Sequence, residues 1–142
     1  MNGSLVCFRV DAGEELIESI KRICESLDIS AGFLHGIGAA NIIEIGVYEV
    51  GKKIYHKQKF EDDYELASVM GNISRKDGEC YLHLHGVIGG MNKSVVAGHI
   101  NFAKISATFE GFIFVFGDAM LRVEDQMTSL NLLSFDQDVV DN

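Results

Sequence analysis

From Ser30 to Phe116 the chain is a run of β-branched and aromatic residues punctuated by glycine, and no proline occurs anywhere in it. That texture restricts the chain to a sheet-dominated fold. β-branched and aromatic side chains suit a pleated, half-buried surface, and proline is the residue that interrupts a ladder. Candidate strands cover residues 31–37, 42–49, 52–59, 65–74, 80–88, 94–102 and 105–116, with a short one near 120–122 and an earlier one over 5–10. Val50-Gly51-Lys52 and Lys76-Asp77-Gly78 have the composition of hairpin turns. Strands joined in succession by tight turns favour antiparallel pairing.

One segment has the other period. Leu16, Ile17, Ile20, Ile23, Cys24 and Leu27 follow spacings of one, three and four, which gathers them on one face of a helix. The stripe is read as core. Glu15, Glu18, Lys21, Arg22 and Glu25 lie mostly away from it. Before it, Asp11-Ala12-Gly13-Glu14 resembles a capping box, with Asp11 accepting from the first turn and Glu14 reaching back. The helix is expected to end near Leu27 or Asp28. A lone early helix followed by a meander defines an α+β class: a mainly antiparallel twisted sheet of about seven strands, with one main helix packed against it.

A length of 142 residues suits a single domain with its own core. That core is expected over about residues 5–135, with an acidic, frayed tail over 136–142. Residues 130–135 are too apolar to be free and are expected to pack on the domain or a neighbouring subunit. No run of apolar residues is long enough to span a membrane, and residues 1–9 lack the pattern of a signal peptide. Cys7, Cys24 and Cys80 are an odd, scattered set without a CxxC pair, which suits buried thiols in a reducing, cytoplasmic compartment. The net charge of -9 repels phosphate backbones, so direct nucleic-acid binding is disfavoured.

The chemistry-bearing pattern is Leu82-His83-Leu84-His85. Residues i and i+2 of a strand share a face, so His83 and His85 project together while Leu82 and Leu84 point the other way. Their Cα atoms should lie about 6–7 Å apart, from a rise of about 3.3 Å per residue. His99 is the candidate third ligand. It follows Ala97-Gly98 on the next strand, and Gly89-Gly90 and Asn92-Lys93 allow the chain to turn back toward the pair. Neutral imidazole is the commonest protein metal ligand, and three histidines with one open position suit hydrated zinc. The alternative is that HxH is two polar residues on the solvent side of a strand. His35, beside the Gly36–Gly38 turn, and His56, in a lysine-rich hairpin, are read as structural and solvent-exposed respectively.

Other segments carry less. Gly36-Ile37-Gly38-Ala39 lacks the third glycine and the following helix of a nucleotide loop, so its glycines are read as permitting a bulge or a close backbone approach. Asn72, Gly38 and Glu65 are candidates for lining the histidine pocket. Glu110 interrupts an apolar strand and is read as outward-facing, with Arg122 as a conceivable partner. Ser94, Ser106 and Ser134 lack a nucleophile-elbow context.

Five segments in order resemble the PPC domain, named for its occurrence in plants and prokaryotes. They are Gly36-Ile37-Gly38-Ala39, residues 64–73, Leu82-His83-Leu84-His85, Gly98-His99-Ile100 and Leu121-Arg122. The resemblance covers about residues 8–133. It implies a largely antiparallel sheet with a helix against it, a homotrimer, and a zinc-holding cluster at His83, His85 and His99. Members usually carry two glycines before the third histidine; here the first is Ala97. Plant members add a basic arm that enters the DNA minor groove, whereas the longest basic stretch here is Lys52-Lys53, with Lys57 and Lys59 nearby. The leading expectation is a homotrimeric, zinc-binding domain with a binding or regulatory role, in a family regarded as DNA-binding. The alternative is a metal-dependent small-molecule hydrolase or lyase using a water on the three-histidine metal, with Glu65 or Glu110 as general base. Beyond these two candidates no residue is assigned a catalytic role.

Overall fold

The computed structural model describes residues 4–135; the acidic segment 136–142 lies outside them. In chain order the elements are β1 (Ser4–Asp11), α1 (Leu16–Ser26), β2 (Gly32–Glu49), β3 (Ile54–Lys76), β4 (Glu79–Gly90), β5 (Val95–Val115), β6 (Leu121–Glu124) and β7 (Asn131–Ser134). Among the described residues the fold is α+β, with seven strands, a mostly antiparallel sheet and one short helix.

Strands β2, β3 and β5 are longer than the sequence pattern indicates. The expected strands 31–37 and 42–49 fuse into β2, 52–59 and 65–74 into β3, and 94–102 and 105–116 into β5, each to within a residue or two at its ends, with Lys52 and Lys53 in the turn before β3. Most of the apparent breaks are register shifts. β2 slips against β3 between Gly36 and Gly38 and again between Ala40 and Ile42. A bulge changes the phase of the alternation without ending the strand, so a phase change reads as a gap. At Gly36 a methyl group would lie 2.5 Å from the Phe109 ring, which accounts for glycine there.

The long strands bend enough to close on themselves. β2 pairs with β3, β3 with β4, β4 with β5 and β5 with β2, all antiparallel. β1 extends the ring at β5, and the β6–β7 hairpin is attached to β3 by a single parallel bridge, Arg75 with Leu121. The turn from β3 to β4 is tight, with Asp77 at φ 52° and Gly78 at φ 86°. Two consecutive positive φ values are those of a type I′ hairpin.

Leu16, Ile20 and Cys24 of α1 are fully buried against the inner side of the ring, where Leu34, Val69, Leu84, Ile100 and Ile113 complete the core. Leu27, expected on the buried stripe, is the C-cap and is exposed, because the helix ends at Ser26. The N-terminus also differs from expectation. Glu14 Oε2 does accept from the Asp11 N–H at 3.0 Å, but Asp11 belongs to β1 and the N-cap is Glu15, whose Oε2 accepts from the Glu18 N–H at 2.7 Å. Glu15 Oε1 accepts from the Ala103 N–H at 3.1 Å, so the same carboxylate ties α1 to β5. Cys24 and Cys80 are free buried thiols that meet between α1 and β4. The hydrogen bond to Cys80 and then burial push the Cys24 thiol up.

Candidate metal centre

His83 and His85 lie two residues apart on β4, and His99 on β5 is the register partner of His85. Direct cross-strand partners share a face, so all three imidazoles project to the outside of the ring. Two close backbone approaches set this geometry. A methyl group on Gly71 would lie 1.9 Å from the His83 carbonyl oxygen, and one on Gly98 would lie 2.6 Å from Ile45 Cγ2 and 2.8 Å from the Gly46 carbonyl oxygen. Glycine at these positions lets β3 press on β4 behind His83, and β2 press on β5 beside His99.

The ring centroids are 5.0 Å apart for His83–His85, 5.2 Å for His83–His99 and 5.6 Å for His85–His99. One nitrogen of each ring lies within 4.8 Å of the other two. His83 Nε2 and His85 Nε2 are 3.2 Å apart. Two ligands each about 2.0 Å from a tetrahedral zinc ion would be separated by about 3.3 Å, so this pair already has ligand spacing. Burial holds the His99 pKa down to about 4, with the neighbouring His83, His85 and Lys57 adding to the effect. His83 is lowered in the same direction, first by burial, then by Arg122 and His85. Both rings are therefore neutral at pH 7, the state in which imidazole binds metal.

The cluster forms part of the wall of a cavity of about 790 Å³. Tyr48, Tyr55, Asn72, Tyr81, Asn101 and Arg122 line it, and Leu130, Leu132, Leu133 and Phe135 form an apolar side. Thus the segment 130–135 packs on its own domain, as β7 and its flanks beside the histidines. Tyr55 Oη and the Asn101 side chain are hydrogen-bonded, with Oη accepting from Nδ2 at 2.9 Å, and the Tyr55 ring stands edge-on to His99 at 6.3 Å. Arg122 donates from Nε to Ser74 Oγ at 2.8 Å and from its terminal nitrogens to the Asn131 carbonyl and Asn72 Oδ1.

Of the residues considered as lining the pocket, Asn72 does so, whereas Gly38 and Glu65 do not. Gly38 is packed against Thr108 and Phe109. Glu65 pairs with Gly89, four residues along β4 from His85, or about 13 Å at the usual rise. Glu110 is exposed, beside Arg9 and Ile37 in the ladder, and is not the partner of Arg122. His35 contacts Ser68 Oγ at 3.4 Å, and His56 contacts Glu49 Oε2 at 3.0 Å at the surface. Tyr81 and Asn101 were legible by the rule that placed the histidines, since each lies two residues from one of them. Arg122 and Tyr55 carried no such signal.

The architecture defines a small closed-sheet domain with one helix and an outward three-imidazole cluster beside a cavity. The chain belongs to the Plants and Prokaryotes Conserved (PCC) domain family, whose sequence profile matches residues 1–117. β6 and β7 lie beyond the matched segment. Among solved structures, a metal-containing protein of Archaeoglobus fulgidus is 32% identical, with a TM-score of 0.85 over 95% of this chain and 94% of that one. A plant- and prokaryote-conserved (PPC) protein of Pyrococcus horikoshii is 30% identical, with a TM-score of 0.86 over 94% and 93%. A candidate DNA-binding protein of Bacteroides thetaiotaomicron shares the fold at 24% identity, with a TM-score of 0.89 over 92% of each chain. No curated protein sequence matches the chain. Among the described residues no helix is long and apolar enough to cross a membrane.

Proposed function

We propose that this domain is a homotrimeric zinc-binding protein whose metal, held by His83, His85 and His99, receives a small ligand from the adjoining cavity in a binding or regulatory role. The observation that carries the reading is the meeting of three imidazole donors, each within 4.8 Å of the others, on the wall of a cavity of about 790 Å³. The donor set fits zinc: all three are nitrogen, and two are held neutral by burial. The A. fulgidus relative described as metal-containing is in keeping with it.

Self-association is supported by the outer face around the cluster. Phe112, His35, Met70, His85 and His99 form one transverse row of register partners, and Phe114, Phe33, Asn72 and His83 form the next. Phe33, Met70, Phe112 and Phe114 are 37–49% exposed. A contiguous exposed apolar patch of this kind marks an interaction surface, and here it leads directly to the histidines. A net charge of -9 per chain opposes docking on a phosphate backbone, so DNA is not the favoured partner.

Metal analysis of the tag-free protein tests the reading. Zinc near one per chain is expected in the parent, with loss in His83→Ala and His99→Ala. A parent that holds no stoichiometric metal overturns it.

A second reading, catalysis, is favoured by the cavity itself, since three protein donors leave room for a fourth ligand on its side. An ion so held supplies Lewis acidity to whatever oxygen enters. Glu65 and Glu110 lie outside the cavity, so neither serves as its base. Turnover of an ester, phosphoester or lactone that is lost in His83→Ala would establish a hydrolase or lyase; no turnover leaves the binding role.

A further inference from the structure

Arg122 is 8% exposed, and among the described residues no carboxylate pairs with it. Its bonded partners are all neutral: Ser74 Oγ, the Asn131 carbonyl and Asn72 Oδ1. The Tyr81 ring faces the guanidinium at 4.7 Å. A guanidinium offers five N–H donors. Three are used here, and each terminal nitrogen keeps one. A buried cation without a counter-charge is costly, and a donor left on each of two adjacent nitrogens suits the two oxygens of a carboxylate. Arg122 stands in the wall of the histidine cavity, one strand pairing from His83 through Asn72. Leu130, Leu132, Leu133 and Phe135 supply an apolar wall beside it.

We infer that the cavity takes a small organic monocarboxylate with an apolar body, its carboxylate on Arg122 and an oxygen on the neighbouring carbon directed toward the histidine cluster. The second contact rests on the metal reading above; the first does not. A single guanidinium with two free donors suits a carboxylate monoanion, and the leucines and Phe135 suit a hydrocarbon body more than an inorganic anion.

Calorimetric titration with mandelate and with mandelamide, its neutral isostere, tests the inference. The measurement is made on zinc-loaded and on chelator-treated protein. Mandelate is expected to bind about tenfold or more tightly than mandelamide in both forms, the factor expected of a charge-assisted contact. Arg122→Gln should abolish that preference in the metal-free form while zinc uptake persists. Because Arg122→Gln also removes bonds to Ser74 and Asn131 and could unfold, the comparison in the parent protein decides by itself. Equal binding of the two compounds, binding of neither, or inorganic phosphate binding as tightly as mandelate would overturn the inference. Zinc uptake without anion preference defeats this inference and spares the metal reading. Anion preference in a protein that takes no zinc does the reverse.

Discussion

At the residue scale the decisive property is the burial of an imidazole. His99 has an ordinary pKa of 6.5 in an unfolded chain and about 4 in the fold. Above pH 6.5 the ring is neutral in both states. Between 6.5 and about 4 the unfolded chain takes up a proton that the fold refuses, so the metal-free protein loses stability as the pH falls through that window. His83 is shifted in the same direction and adds to the loss. Urea midpoints of the chelator-treated protein should therefore drop between pH 7 and pH 4.5, and His99→Gln should drop less. A midpoint that rises on acidification would contradict the burial. Of this site, His83, His85 and His99 were legible as residues because alternation and the Ala97-Gly98-His99 return predict them. Arg122 was not, because nothing in its neighbourhood indicates that it reaches Asn72 and Ser74 across β3.

At the element scale, glycine sets how closely strands approach. Gly71 has the His83 backbone where a methyl group would stand, and backbone cannot rotate away. Gly71→Ala should force β3 from β4 beside His83, destabilising the domain by roughly 1–3 kcal/mol, the usual range for overpacking, and weakening zinc retention. Gly51 lies in the β2–β3 turn with nothing within 4 Å of the added methyl, so Gly51→Ala is the matched control. Thermal melts of the two, with zinc content, check the expectation. Element type was readable except at β7, where the apolar run 130–135 indicates packing but no strand, and the long hairpins follow their turn residues. Strand length was not readable, because the shifts in β2 and β5 break the alternation without breaking the ladder. The helix start was misplaced for a similar reason: Asp11 and Glu15 both have capping chemistry, and only the pairing of β1 through Asp11 with Thr108 excludes the first.

At the scale of the whole molecule, the outer face joins the two functional features. The aromatic rows at Phe33, Phe112 and Phe114 run into the histidine cluster without a break in register. If this face is the trimer contact, one charge within it is enough to oppose association, since burying an unpaired carboxylate is costly. Phe114→Glu should convert a sedimenting trimer to monomer while far-UV circular dichroism stays unchanged, because Phe114 is half-exposed within one chain. A trimer that persists would place the contact elsewhere. Ala97, which stands where the resemblance leads one to expect glycine, is exposed on β5 within a single chain.

The amino-acid sequence by itself determined the α+β class, the antiparallel hairpins, the buried stripe of α1 and the shared face of His83 and His85. Each of these is a periodicity or a turn, and periodicity is a local property of the backbone. Ring closure, the bulges, the third side of the histidine triangle and the cavity walled by β6 and β7 were decided by tertiary structure. These depend on strands far apart in the chain meeting in one register, and that register is set by packing across the whole core, which no single segment encodes.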